Sequence, residues 1–222
     1  MLDPSVDYTL LQDLITTERL SSYFKWAGGD LDRAFELYEW NMEASAAALS
    51  VAAMVEVIVR NALDRELTAW AAKRQLGDWL AAVPLDPRGR EDIVKARARA
   101  ARGGRQVKHG HVVAELSLGF WRFLLASKYL TSLWIPALGR AFPFAAGDER
   151  TKRRQMESHA QQILYLRNRA AHHEPIHRRD LAADMRRALR LVGAVDATAE
   201  SWVRSRERLT TVIAERPMSP GP

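Results

Sequence analysis

Three of the six histidines in this chain, His172, His173 and His177, fall within six residues, just past Arg167 and Arg169. Histidine is the side chain best suited to move a proton near neutral pH. Arginine binds two phosphate oxygens at once and stabilises charge building on a phosphorane. Together they supply what metal-free RNA cleavage needs: a group to take the 2′-hydroxyl proton and a cation for the phosphate. Beside them, Asn168 can hold a phosphate or the imidazole through its amide. The same segment spells His173-Glu174-Pro175-Ile176-His177, which satisfies the HExxH pattern of zinc peptidases. That pattern works only with both histidines one helical turn apart. Pro175 in its middle opposes a regular helix there by about 3 kcal/mol. No third ligand follows, so neither a metal nor a cofactor is expected.

The elements that carry these residues read as helices throughout. Leu10, Leu11, Leu14, Ile15, Leu20 and Phe24 form a first amphipathic pattern ending at Gly28-Gly29. Asp30 can cap a long helix that continues, without Gly or Pro, to about Gln75. Asp86-Pro87 opens a basic helix to about Arg102. Further helices fit residues 110–126, 148–172, 178–192 and 198–214, and 216–222 form a Pro-rich tail expected to be disordered. No run alternates as a strand does. Residues 1–215 read as a single all-α domain.

On the long helix, Phe35, Met42, Leu49, Leu63 and Trp70 recur every seven residues, and Glu56 fills the missing place. A carboxylate near an apolar stripe needs a partner. Arg60, one turn on, can supply it locally; otherwise Glu56 can orient an arginine belonging to a site. Helical phase sets Arg167 with Met156, Ala160, Ile163 and Ala170 on an apolar face, so Arg167 is expected to point inward, with Glu56 as a candidate acceptor.

Charge is uneven. Residues 1–87 carry a balance of −7, whereas 88–108 carry +6 and 150–190 carry +7, and 27 of the 33 basic residues are arginine. Such windows suit a polyanion; Arg97, Arg99, Arg102, Arg105 and Lys108 form a candidate phosphate track, though a solvated helix surface has the same composition. His109 and His111 read as exposed residues at a helix start. Gly119-Phe120-Trp121 reads as a close packing point, with base stacking as the lesser possibility. Zero cysteines remove disulfides, thiolate metal sites and cysteine nucleophiles. The longest charge-free apolar run, Ala44 to Val55, has twelve residues. That is short of the roughly 20 that span a bilayer, so a soluble protein of the cytoplasm, without membrane contact, is expected.

An arginine followed by a histidine at this spacing is not specific in itself; Arg154 with His159 fits as well. The surrounding string LRNRAAHHEP, however, resembles the signature of the Abi (abortive infection) family within the HEPN ribonuclease superfamily. Glu56-Val57-Ile58-Val59-Arg60-Asn61-Ala62-Leu63-Asp64 resembles the family's early helix, and His111 to Arg122 its central segment. The three occur in the family's order, and the similarity spans roughly residues 30–195. The resemblance implies an all-α, HEPN-type helical bundle with a long helix in the N-terminal half and additional short C-terminal helices. It implies a catalytic set of Arg167, Asn168 and His172, supported by Glu56, Arg60 and His173. The implied activity is metal-independent endoribonuclease action on tRNA or mRNA, leaving a 2′,3′-cyclic phosphate, in a phage-defence or toxin-like role. A homodimer is implied, with a possible antitoxin or phage trigger. The alternative is a non-catalytic HEPN module that binds RNA or a protein through its basic face.

Overall fold

The computed structural model describes residues 2–104 and 106–218. Among the described residues the chain is all-α, with no strand. The apolar pattern from Leu10 to Phe24 makes two helices rather than one, α1 (Tyr8–Ile15) and α2 (Thr17–Ala27). The break is Thr16, at φ 79°, whose hydroxyl accepts a hydrogen bond from the Arg19 amide at 3.4 Å. A threonine side chain that bonds locally offers the backbone an alternative to continued helix. Leu10 and Leu14, part of the expected apolar face, are exposed.

The long helix is α3 (Leu31–Lys73), opened by Asp30, whose carboxylate accepts from the Arg33 amide at 2.9 Å. Of the heptad series, Phe35, Leu63 and Trp70 are buried, Leu49 is half-buried and Met42 is exposed. At 3.6 residues per turn a buried seam drifts across heptad positions, and here it passes through Ala44, Ala48, Val51, Val55 and Val59. Glu56 is half-buried beside that seam rather than within it. Charge-free runs underestimate this helix: by length and apolar composition, a window of α3 suffices to cross a membrane, and 44% of that window is buried inside the protein.

A short α4 (Trp79–Ala82), capped by Asp78, precedes α5 (Pro87–Ala100), which Asp86 and Pro87 open as the sequence requires. The helix expected over 110–126 is interrupted, giving α6 (His109–Glu115) and α7 (Leu118–Leu124). Leu116 turns extended, and the Ser117 hydroxyl accepts from the Phe120 amide at 3.4 Å to restart the helix. Tight 3₁₀ and π turns follow over Ser127–Ala141. Then come α8 (Glu149–Ala171), α9 (Leu181–Val195), α10 (Ala197–Arg206) and α11 (Leu209–Ala214). Residues 219–222 of the Pro-rich tail lie outside the described residues; Arg216, at the tail's start, sits 5.2 Å over the Trp40 ring.

The chain groups into two compact units. One holds residues up to Val51, Leu166–Met185 and those from Glu207 on; the other holds Ala52–Tyr165 and Arg186–Arg206. In the first, Tyr8 meets Phe35 with ring centroids 4.9 Å apart, and the Trp40 indole donates to the Val212 carbonyl at 2.6 Å. In the second, Trp79 meets Trp121 at 6.0 Å and Trp134 stacks on Phe142 at 5.8 Å. Large aromatic residues thus anchor both cores.

Candidate active site

The segment singled out by its chemistry is the exit of α8, in the first unit. Asp148 opens the helix by accepting from the Thr151 amide at 2.8 Å. At the other end the Glu174 amide donates to the Arg169 carbonyl at 2.8 Å and the His173 amide to the Ala170 carbonyl at 3.1 Å. Those two bonds make a Schellman ending, with His172 as the cap and His173 in the left-handed position at φ 56°. Histidine is among the non-glycine residues enriched in that conformation. The helix is therefore over before Pro175. His173 is exposed and His177 is 2% exposed, so the two do not stand one turn apart on a helix as HExxH requires. Among the described residues no group of three His, Asp or Glu side chains is placed to hold a metal ion.

Arg167 does not point inward. It is exposed, whereas Met156, Ala160, Ile163 and Ala170 are buried. The buried line steps by three from Ile163 to Leu166 before it reaches Ala170. One residue is about 100° of helix, so Leu166 takes the inward place and Arg167 stands at its border, where a long cationic side chain extends to water. The need for a buried acceptor, which drew attention to Glu56, does not arise. Glu56 and Arg60 belong to the second unit, where the Arg60 Nε donates to Asn61 Oδ1 at 3.4 Å.

Arg167, Asn168 and His172 remain together at the helix end. The Arg167 Nη1 donates to Asn168 Oδ1 at 3.3 Å, and the His172 amide donates to the Asn168 carbonyl at 3.0 Å. His172 is exposed, and no carboxylate among the described residues lies within ion-pairing distance of either Arg167 or His172. Arg169 is different: it donates to the Pro175 carbonyl at 2.8 Å and lies 3.6 Å from Glu174, which ties down the exit. A helix C-terminus is the negative pole of the helix dipole. Phosphate affinity there must come from side chains.

Asn41 was not visible in the sequence as part of this region, yet it holds the region in place. Its side chain, 4% exposed, accepts through Oδ1 from the Ile176 amide at 2.8 Å and the His177 amide at 3.1 Å. His177 packs on Tyr23 at 4.9 Å and its Nε2 lies 3.2 Å from the Ser22 hydroxyl. Burial, with Arg178, Arg216 and Arg169 around it, pushes the His177 pKa down to about 4. Arg19 completes the clamp by donating to the His173 carbonyl. Buried backbone amides need acceptors; a lone buried Asn in an apolar helix is the signal that sequence inspection can use.

The first basic window is largely spoken for within the second unit. Arg99 pairs with Glu115 at 2.9 Å and donates to the Glu115 carbonyl at 2.6 Å. Arg97 lies 3.9 Å from Asp78. Arg102 and Lys108 are exposed, and Arg105 lies outside the described residues. His109 is no free residue at a helix start. Half-buried, it places Nε2 2.8 Å from Asp64 and Nδ1 3.0 Å from Asp78, while the Trp79 indole donates to Asp64 at 2.7 Å. Phe120 and Trp121 are 2% and 0% exposed, so neither presents a face for a base. At Gly119 a Cβ would meet the Ser117 hydroxyl at 3.4 Å and Leu164 at 3.9 Å, ordinary contact distances. Gly89 is tighter, since a Cβ there would lie 3.0 Å from the Phe123 ring.

No protein-family model, curated protein or solved structure matches this chain. The likeness to the Abi family therefore rests on its three motifs. In the structure, the first lies on α3, the second runs across α6 and α7, and the third forms the exit of α8.

Proposed function

We propose that this protein is a metal-independent endoribonuclease of the HEPN type, working in the cytoplasm in an abortive-infection or toxin-like phage-defence system. The observation that carries this reading is that Arg167 and His172 are both exposed at one helix end, neither with a carboxylate partner among the described residues. Elsewhere the chain ties many of its arginines to its own carboxylates, and an arginine left open beside a histidine is available to an anion.

In this reading Arg167 binds the non-bridging oxygens of the scissile phosphate and stabilises the phosphorane. The 2′-oxygen attacks phosphorus, its proton passing to an imidazole, and the bond to the 5′-oxygen breaks as that oxygen takes a proton. The products are a 2′,3′-cyclic phosphate and a 5′-hydroxyl. Five residues of helix separate Arg167 from His172 by about 140° and about 7.5 Å. One chain thus offers its cation and its imidazole on different sides of the helix end, which suits a cleft shared by two copies, each giving one histidine. Asn168, already bonded to Arg167, positions the guanidinium.

The test is RNA cleavage in EDTA with pooled tRNA and mRNA. Wild-type protein should produce fragments ending in 2′,3′-cyclic phosphate, and His172→Ala should not. The second reading, a non-catalytic module that binds RNA or a protein, draws on the exposed Arg102 and Lys108. Retained RNA binding with no fragments from any pool would favour it.

A further inference from the structure

Beside the α8 exit, within the first unit, lies a pocket of about 490 Å³ between α2, α3 and His173. That volume is in the range of roughly 300–1,000 Å³ typical of small-ligand sites. Its deepest polar group is the Asn41 side chain, 4% exposed. Two backbone amides occupy Oδ1 and so fix which way the amide faces. The Nδ2 group has no hydrogen-bond partner among the described residues and keeps some exposure, so it can donate into the pocket that Asn41 lines. One helical turn on, the Ser45 hydroxyl is 9% exposed and donates its proton to the Asn41 carbonyl at 2.7 Å, leaving its oxygen as an acceptor. The pocket thus holds a fixed donor and a fixed acceptor side by side.

One wall offers a ring face: half-buried Tyr38, held edge-on by the buried Tyr23 with centroids 5.2 Å apart, and Met42, 51% exposed, lines the same space. At the rim Arg19 spends one Nη on the His173 carbonyl, and its other N–H groups have no acceptor among the described residues. A nucleotide combines these features: a planar base edge with an acceptor next to a donor, joined to a phosphate. Unpaired bases in RNA are recognised in this way, by stacking and by hydrogen bonds to their edges.

We infer that this pocket takes one unpaired base of an RNA strand, with Arg19 on the adjoining phosphate. Resting on the endoribonuclease reading, the inference makes cleavage selective for the base next to the bond that is cut. The occupied pocket lies beside His173, so the base it holds sets the strand's register relative to Arg167 and His172.

The experiment measures binding of each nucleoside 5′-monophosphate by calorimetry, together with the base preference at mapped cleavage sites. Wild type, His172→Ala, Ser45→Ala and Ala46→Phe are compared. Ser45→Ala removes the acceptor, and Ala46→Phe fills the pocket from a residue exposed on its wall. At least one nucleotide should bind wild type and His172→Ala alike, and at least tenfold more weakly to the other two variants. In wild type the same base should dominate the cleavage sites, and both pocket variants should lose that preference. No binding at millimolar nucleotide, or equal binding to the filled pocket, overturns the inference whether or not RNA is cut. Selective binding with no cleavage of any RNA would overturn the link to cleavage, and the endoribonuclease reading with it, leaving a nucleotide site.

Discussion

Two regions rich in arginine and histidine behave in opposite ways. Around α5 and α6, Arg99 is held by Glu115, Arg97 lies near Asp78, and His109 bridges Asp64 and Asp78. At the exit of α8, Arg167 and His172 are exposed, and the Arg167 side chain hydrogen-bonds to the neighbouring Asn168. The formal charge of the two windows is nearly equal, +6 and +7. The second window also pairs Arg153 with Glu157, Arg169 with Glu174 and Arg179 with Asp184; what differs is that Arg167 and His172 stand exposed with no carboxylate partner among the described residues. A guanidinium engaged by a carboxylate must lose that partner before it can bind phosphate, whereas an open one need not. Net charge marks where an anion is drawn; pairing decides where it can be held.

The largest effect should separate the regions outright. Arg167→Ala and His172→Ala should each lower RNA cleavage by about 10²-fold or more, with the thermal midpoint nearly unchanged because both side chains are exposed. Comparable loss from Arg99→Ala, in a protein that stays folded, would erase the distinction. Next in size, Asn41→Ala should destabilise by about 2–3 kcal/mol in urea unfolding, since it strands two buried amides. A variant that keeps wild-type stability would mean that the α8 exit is held by something other than Asn41.

A smaller effect concerns protons. His177 has its pKa lowered to about 4 by burial and neighbouring arginines, and that of half-buried His159 is lowered by burial with Arg190 and Arg187. Between about pH 6.5 and about 4 the unfolded chain binds more protons than the folded one, so stability should fall as pH drops through that window. His177→Gln should flatten this slope, as followed by urea midpoints at several pH values; an unchanged slope would place its origin elsewhere. The smallest effect tests the open and closed parts of the basic window. Arg102→Ala should reduce the salt slope of RNA binding by about one, while Arg99→Ala should change it less, because its guanidinium is already paired.

Helix starts were legible because capping is local: Asp30, Asp86 and Asp148 each accept from an amide three residues ahead. Breaks made by a single hydroxyl were not. Thr16 and Ser117 lie inside apolar patterns that read as continuous helix, and only their side-chain bonds reveal the interruption. The cluster of Arg167, Asn168 and His172 was legible as three residues close in sequence. Its orientation was not, because the burial line on α8 shifts by one residue at Leu166. The partners of His109, which reads from the sequence as an exposed helix-start residue, and the whole role of Asn41 were not legible, because the groups they bond lie far along the chain.

The sequence by itself determined the helical class, the long α3 and the concentration of arginine and histidine side chains at the end of α8. Those follow from periodicity, capping and spacing, which act over a few residues. Only the tertiary structure decided which arginines are open, which histidines are buried, and that the Asn41 side chain lines a pocket beside His173. These depend on contacts between segments distant in sequence, where burial and pairing settle whether a charge holds the fold together or meets a ligand.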